Sequence, residues 1–179
     1  MAIKQVTLHE INTFDQDQFV DYLGVVFEGP PWIVEAAWSA RPFSSLSALY
    51  QALCDVMYHA PLTSKISLLQ AHPDLVGRAA LAGTLSSAST GEQAAAGLSA
   101  LSTQEIATFT RLNREYRDRF KFPFVICARE NKKDSILAGF AARLHNTRSQ
   151  EIETALAEVA KICLLRLYDL VRADESGQT

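Results

Sequence analysis

Cysteine is scarce in this sequence: Cys54, Cys127 and Cys163 are the three in 179 residues, and no two stand at a C-x-x-C spacing. That excludes a disulfide framework and a structural zinc site as organising devices, and it suits a reducing compartment. A basic excess is also missing. Seventeen Lys and Arg against twenty Asp and Glu leave a net charge of −3, the wrong sign for displacing counterions from nucleic acid or an anionic membrane. No apolar run approaches a bilayer span, and the opening MAIKQVTLHEINTF has no continuous apolar stretch behind its lysine, so neither a membrane segment nor a secretory signal is expected. The final ESGQT is not a Ser-Lys-Leu address. No pair among His9, His59, His72 and His145 falls at i, i+3 or i, i+4, which leaves a helical metal site unsupported. These absences predict a soluble cytoplasmic protein with no metal, no nucleic-acid partner and no membrane partner.

What is present is a chain 48% hydrophobic, enough for one domain around one core. Most of it repeats at helical period. Phe19, Tyr22, Leu23, Val26 and Phe27 follow an acidic first turn at Asp15 and Asp17 and stop at Gly29-Pro30-Pro31. A short helix is expected from Pro31 to Ala40. A third is capped by Ser44 or Ser45 and carries Leu46, Leu49, Leu53 and Met57, and a fourth is capped by Thr63 or Ser64 and ends at His72. Asp74 is expected to cap a turn, and the Gly, Ser, Thr and Ala of 83–97 read as a loop leading into a helix start. Ser102-x-x-Glu105 is a capping box opening a helix from Thr103 to about Phe120. KFPFVICAR then reads as extended chain. Asp134 caps a helix through Leu144, and the last helix covers about Ser149 to Val171. With no repeat and no alternating β-α order, the expected fold is an all-α, single-domain bundle of roughly seven to nine helices with one extended segment near 122–128.

Four places carry candidate chemistry. In LLQAHPDLVGR, Pro73 breaks an apolar helix and leaves His72 at its end. A histidine there interacts favourably with the helix dipole in any protein, and it is also the one side chain whose ordinary pKa suits proton transfer near neutrality. Glu92 and Gln93 in SSASTGEQAAAG lie at overlapping capping-box patterns with Ser89 and Thr90. Set side by side by a glycine turn, they also match a urea or ring-amide edge, one accepting and the other both donating and accepting. The FPFVICARE run offers backbone N–H and C=O groups, stiffened by Pro123, that must find partners. Cys127 within it has no adjacent base or positive charge and reads as packing. Arg166 interrupts the apolar ICLLRLYDL, so it needs an anion, either a carboxylate of the protein or one of a ligand. Arg114, Arg117 and Arg119 with Glu115 and Asp118 read as a solvated charge run.

LLQAHPDLVGRAA, SSASTGEQAAAGL, LNREYRDRFKFPFVICARENKK and RLHNTRSQEIETALAEVAKICLLRLYDLV, with the RPF at Arg41 to Phe43, together resemble the 2-oxo-4-hydroxy-4-carboxy-5-ureidoimidazoline (OHCU) decarboxylases. The resemblance spans nearly the whole chain. It implies an all-α homodimer without cofactor that decarboxylates a small-molecule ureide to (S)-allantoin, the last step of urate conversion. It also implies catalytic roles for His72, Glu92 and Arg166, and substrate binding by Pro73, Ser89, Gln93 and the backbone around Phe124, Val125 and Ile126. Some members of that family are fused to a transthyretin-like hydrolase, whereas residues 1–179 accommodate one decarboxylase domain. A separate hydroxyisourate hydrolase is therefore expected to supply the substrate. A helical ureide-binding protein and a protein-protein adaptor are the rival classes; an adaptor predicts an exposed apolar groove instead of a polar pocket.

Overall fold

The structure is a computed structural model and describes residues 4–172; the ESGQT terminus lies outside them. The order is β1 (Val6–Thr7), α1 (Leu8–Thr13), α2 (Gln16–Leu23), α3 (Trp32–Ala37), α4 (Leu46–His59), α5 (Leu62–Ala71), α6 (Arg78–Leu81), α7 (Ser87–Ala95), α8 (Thr103–Phe120), α9 (Lys133–Arg143), α10 (Arg148–Leu170) and β2 (Val171–Arg172). Among the described residues the protein is all-α apart from the two-residue parallel ladder of β1 with β2. No helix among the described residues is long and apolar enough to cross a membrane.

Two compact units divide the chain, Met1–Pro61 with Ala160–Thr179 and Leu62–Val159. In the first, Ser45, one of the two expected caps, caps α4, and Asp15, expected in the first turn of α2, is instead its N-cap, each through a side-chain bond to the backbone. Phe19 meets Trp38 edge-on at 5.4 Å and stacks with Phe43 at 6.1 Å. Asn12 reads the Phe43 backbone in both directions, donating to its carbonyl at 2.9 Å and accepting from its N–H at 2.8 Å. Arg41 lies over Trp38 and donates to the carbonyls of Asn12 and Phe14. The RPF stretch is thus structural in this unit.

The second unit is organised by α8. The Ser102 capping box starts it, and Lys121 ends it with a left-handed φ of 67°. Its inner stripe carries Phe109, Tyr116 and Phe120 into a fully buried aromatic cluster with Phe122, Phe124 and Phe140. Tyr116 approaches Phe120 at 4.7 Å and Phe124 at 5.2 Å, and Phe124 stacks on Phe140 at 3.8 Å. Such pairs each add about 0.5–1.5 kcal/mol beyond area burial.

Several local expectations change. Residues 83–97 are not a loop: α7 fills most of them, capped by Ser86 instead of Ser89 or Thr90. Glu92 and Gln93 consequently sit inside a helix that also takes in Gly91, so no glycine turn presents them. The α5 helix starts at Leu62, ahead of Thr63 and Ser64. The carboxylate of Asp74 pairs with Arg117 at 2.8 Å instead of capping a turn, so Arg117 is not simply solvated. Lys132 occupies the N-cap of α9, with Ser135 bonding back to its N–H, and Asp134 lies in the first turn.

Candidate active site

Proline at 73 stops α5, and the final turn folds back on itself: His72 N–H donates to Leu69 O at 3.2 Å. The His72 ring turns inward and is 7% exposed. Its Nδ1 lies 2.9 Å from Leu68 O. A carbonyl only accepts, so Nδ1 carries the proton, and in the neutral ring the basic nitrogen is Nε2.

The loop that follows is held from three sides. Gln93 Oε1 accepts from Val76 N–H at 3.1 Å, Asn113 Nδ2 donates to Leu75 O at 2.8 Å, and Arg117 takes Asp74. Val76 is buried at φ 53°, a left-handed conformation that is strained for a β-branched residue. Because Val76 N–H can only donate, it fixes the Gln93 amide with oxygen toward the loop. The Nε2 end is therefore the end Gln93 turns elsewhere, as a donor.

Ser89 and Gln93 are buried on α7, with Glu92 half-buried between them. This helix packs on the 3-10 turn Ala128–Glu130, and Lys132 Nζ donates to Ala95 O at 2.7 Å. The extended segment expected at 122–128 leads into that turn. Phe122 to Val125 and Cys127 are buried, and Ile126 is half-buried. Burial pushes the Cys127 thiol pKa up, with the carboxylates of Glu130, Glu158 and Glu92 adding to it. A thiol so placed is no nucleophile, in keeping with the packing role read from sequence.

His72, Pro73, Ser89, Glu92, Gln93 and the Phe124–Ile126 run all belong to the second unit, whereas Arg166 belongs to the first. There Arg166 is buried, with Nη2 at 3.0 Å from a Glu28 carboxylate oxygen and Nη1 donating to Val25 O at 3.2 Å. The anion it needs includes a carboxylate of the protein. Among the described residues six polar or charged side chains are buried, and four of them, His72, Ser89, Gln93 and Arg166, are ones the motifs single out. Burying such groups is costly unless they are hydrogen-bonded, and His72, Gln93 and Arg166 each make such bonds. The other two, Asn113 and Glu151, escape sequence reading. Asn113 stands four residues after Phe109, where the α8 stripe calls for an apolar residue, and Glu151 reads as an ordinary acidic residue of a helix first turn.

The chain is thus an all-α protein that buries a histidine at a Pro-stopped helix end and ties the loop behind it to an amide of α7. Residues 12–168 match the OHCU decarboxylase family profile. The chain is 42% identical over 163 residues to the 2-oxo-4-hydroxy-4-carboxy-5-ureidoimidazoline decarboxylase of Xenopus laevis, covering 91% of this chain and 93% of that protein. It is 36% identical over 173 residues to the uric acid degradation bifunctional protein PucL of Bacillus subtilis, covering 97% of this chain and 34% of that protein. A crystal structure of (S)-allantoin synthase superposes with a TM-score of 0.73 at 26% identity, over 93% of this chain; this chain spans 54% of the length of that one. The chain belongs to the OHCU decarboxylase family, whose named activity is that of a carboxy-lyase.

Proposed function

We propose that this protein decarboxylates 2-oxo-4-hydroxy-4-carboxy-5-ureidoimidazoline to (S)-allantoin, the last step in converting urate to allantoin, without a cofactor. Residues 1–179 act as one decarboxylase domain, in a cytoplasmic homodimer supplied by a separate hydroxyisourate hydrolase. The PucL relative, named as bifunctional in uric acid degradation, supports that coupling.

The observation that carries the reading is the buried His72 with Nδ1–H committed to Leu68 O. The substrate bears a carboxylate and a hydroxyl on one ring carbon beside a C=N bond. When the C–C bond to the carboxylate breaks, its electron pair moves toward that imine, so the ring itself is the electron sink. His72 Nε2 accepts the hydroxyl proton as CO₂ leaves. The hydroxyl carbon becomes a carbonyl, the neighbouring carbon receives a proton on one face from the imidazolium or a water it holds, and the former imine nitrogen, which took up the electron pair, gains a second proton from solvent water. General acid-base help of this kind is worth about 10²–10⁴-fold. Glu92 and the Gln93 donor hold ureido and ring amide groups, while Ser89, Pro73 and the Phe124–Ile126 backbone fix the ring plane. Arg166, braced by Glu28, is assigned to an oxygen whose charge persists through the transition state. A tight salt bridge on the departing carboxylate would stabilise the ground state instead.

The test is circular dichroism of allantoin formed from substrate freshly generated in situ. One-handed signal should grow rapidly, and His72→Ala should slow it by about 10²–10⁴-fold. A signal no greater than spontaneous decay would sink the activity and favour a ureide-binding protein, whose mark is saturable allantoin binding without turnover.

A further inference from the structure

The peptide segment at Ile126 is tied on both sides by charged side chains that no motif singles out. Arg143, on α9, is 11% exposed and donates through Nη1 to Val125 O at 2.8 Å. Its guanidinium is fixed by Glu151, which is fully buried, through Nε at 2.7 Å and Nη2 at 2.5 Å, and it lies 4.3 Å from the Phe124 ring centre. Glu151 is held in turn by Asn146 Nδ2 at 2.7 Å and by the Tyr116 hydroxyl. One residue beyond Ile126, Cys127 N–H donates to Glu158 Oε2 at 2.8 Å. Elsewhere on α9, Gly139 leaves so little room that a Cβ there would meet the Phe124 ring at 3.3 Å and Ile126 Cδ1 at 3.7 Å. The segment is therefore clamped by α9 and α10 at the level of single peptide planes.

Peptide geometry says what such a clamp does. The Val125 carbonyl and the Ile126 N–H belong to one trans peptide and point opposite ways, as do the Cys127 N–H and the Ile126 carbonyl in the next. In extended chain the N–H and C=O of one residue share an edge, the arrangement that lets paired residues of an antiparallel ladder exchange both bonds. Tying Val125 O and Cys127 N–H thus aims the Ile126 N–H and C=O together along the opposite edge. Charge adds to direction: a guanidinium on one carbonyl strengthens the donor at the far end of that peptide, and a carboxylate on the next N–H strengthens the acceptor at its far end.

We propose that Arg143 and Glu158 are positioning residues that set and polarise a donor–acceptor pair at Ile126 for one cis-amide edge of the ureide substrate. This rests on the decarboxylase reading above, in which the Phe124–Ile126 backbone meets substrate. Neither residue touches the substrate; each acts through a peptide bond.

Arg143→Lys keeps a positive charge beside Glu151 but lacks the fork that reaches Val125 O as well. Glu158→Ala leaves Cys127 N–H without this acceptor, and Glu158→Gln restores an uncharged one. Arg143→Lys and Glu158→Ala should each raise KM, and the Kd for (S)-allantoin measured by calorimetry, about tenfold, the equivalent of one hydrogen bond. Glu158→Gln should stay within about threefold of wild type, because only the charge assistance is lost. A merely structural role would reduce the folded fraction, lowering apparent kcat with KM and Kd unmoved. That result in Glu158→Ala, which lies on a half-buried helix face, overturns the proposal even if Arg143→Lys fails to fold. Wild-type turnover with unmoved variants overturns positioning alone; a wild type that neither turns over substrate nor binds allantoin overturns the decarboxylase reading and this one together.

Discussion

The six residues from His72 to Gly77 concentrate most of the local constraint in the second unit. Pro73 ends the helix, Val76 is held at φ 53°, and Gly77 N–H closes a turn onto Asp74 O at 3.3 Å. Strain of the kind seen at Val76 costs on the order of 1–3 kcal/mol and persists only where neighbours over-determine the backbone. Here Gln93, Asn113 and Arg117 do so. Glycine at 77 is required by proximity: a Cβ would stand 2.7 Å from Asp74 Cβ and 3.1 Å from its carbonyl oxygen. The carbonyl is backbone, and a Cβ is fixed by the backbone that carries it, so neither can swing aside. Gly77→Ala should therefore lower the unfolding free energy by about 1–3 kcal/mol, the usual cost of overpacking. It should also reduce turnover, because the displaced turn carries His72 at its other end. Urea denaturation with parallel allantoin assays measures both, and an unchanged midpoint would show that the turn tolerates the methyl group.

Helix ends carry the next scale of control. Ser102 N–H donates to Glu105 Oε2 at 2.7 Å, and Lys133, in the first turn of α9, forms an ion pair with the same carboxylate group. The Lys133 hydrogen bond, followed by those from Ser102, depresses the Glu105 pKa from 4.5 to about 2. A carboxyl whose folded pKa lies below its unfolded value stabilises the fold above the unfolded value and loses that contribution as pH falls through the folded one. The melting temperature of wild type should thus exceed that of Glu105→Gln at pH 6, with the gap closing between pH 4.5 and about pH 2. Melts across that range test it; a gap independent of pH would mean the carboxylate acts through packing alone. Capping chemistry of this sort is also why α2, α4 and α8 can be read from sequence, since an apolar stripe and a polar cap point to the same boundary. In α7 the two disagree. Its Ser, Thr and Gly have weak helix preference and it has no apolar stripe, and its position depends on Gln93 meeting Val76 and Lys132 meeting Ala95. Those partners lie 17 and 37 residues away, so a local reading assigns a loop. His72 stands out in the sequence because Pro73 breaks the helix behind it, and Ser89 and Gln93 are singled out by the family resemblance, whereas Arg143, Glu151 and Glu158 look like ordinary helix-surface charges until their partners are placed.

At the scale of the whole molecule, the first unit is closed by contacts between distant parts of the sequence. Val6 pairs with Val171 in the parallel ladder, and Glu28 meets Arg166 across 138 residues. A two-residue strand has no alternation long enough to specify a register, and a buried arginine announces its need for an anion without naming the donor. Neither feature can be read from one sequence. Tyr22 shows how such closure works. It projects from α2, and its hydroxyl lies 2.8 Å from both Lys4 O and Leu170 O. One hydroxyl proton serves two carbonyls that belong to chain segments far apart in sequence. Burial raises the phenol pKa further above its ordinary value of 10, so the hydroxyl remains a donor throughout the pH range of stability. Tyr22→Phe removes that donor and keeps the ring, including its edge contact with Phe14 at 5.7 Å. The expected loss is about 1 kcal/mol in urea denaturation, the net worth of one hydrogen bond. It should be accompanied by faster amide exchange at the end of α10 and in β2, while exchange in α8 stays at the wild-type rate. Equal acceleration in α8 would mean that the hydroxyl supports global stability instead of local closure of the first unit.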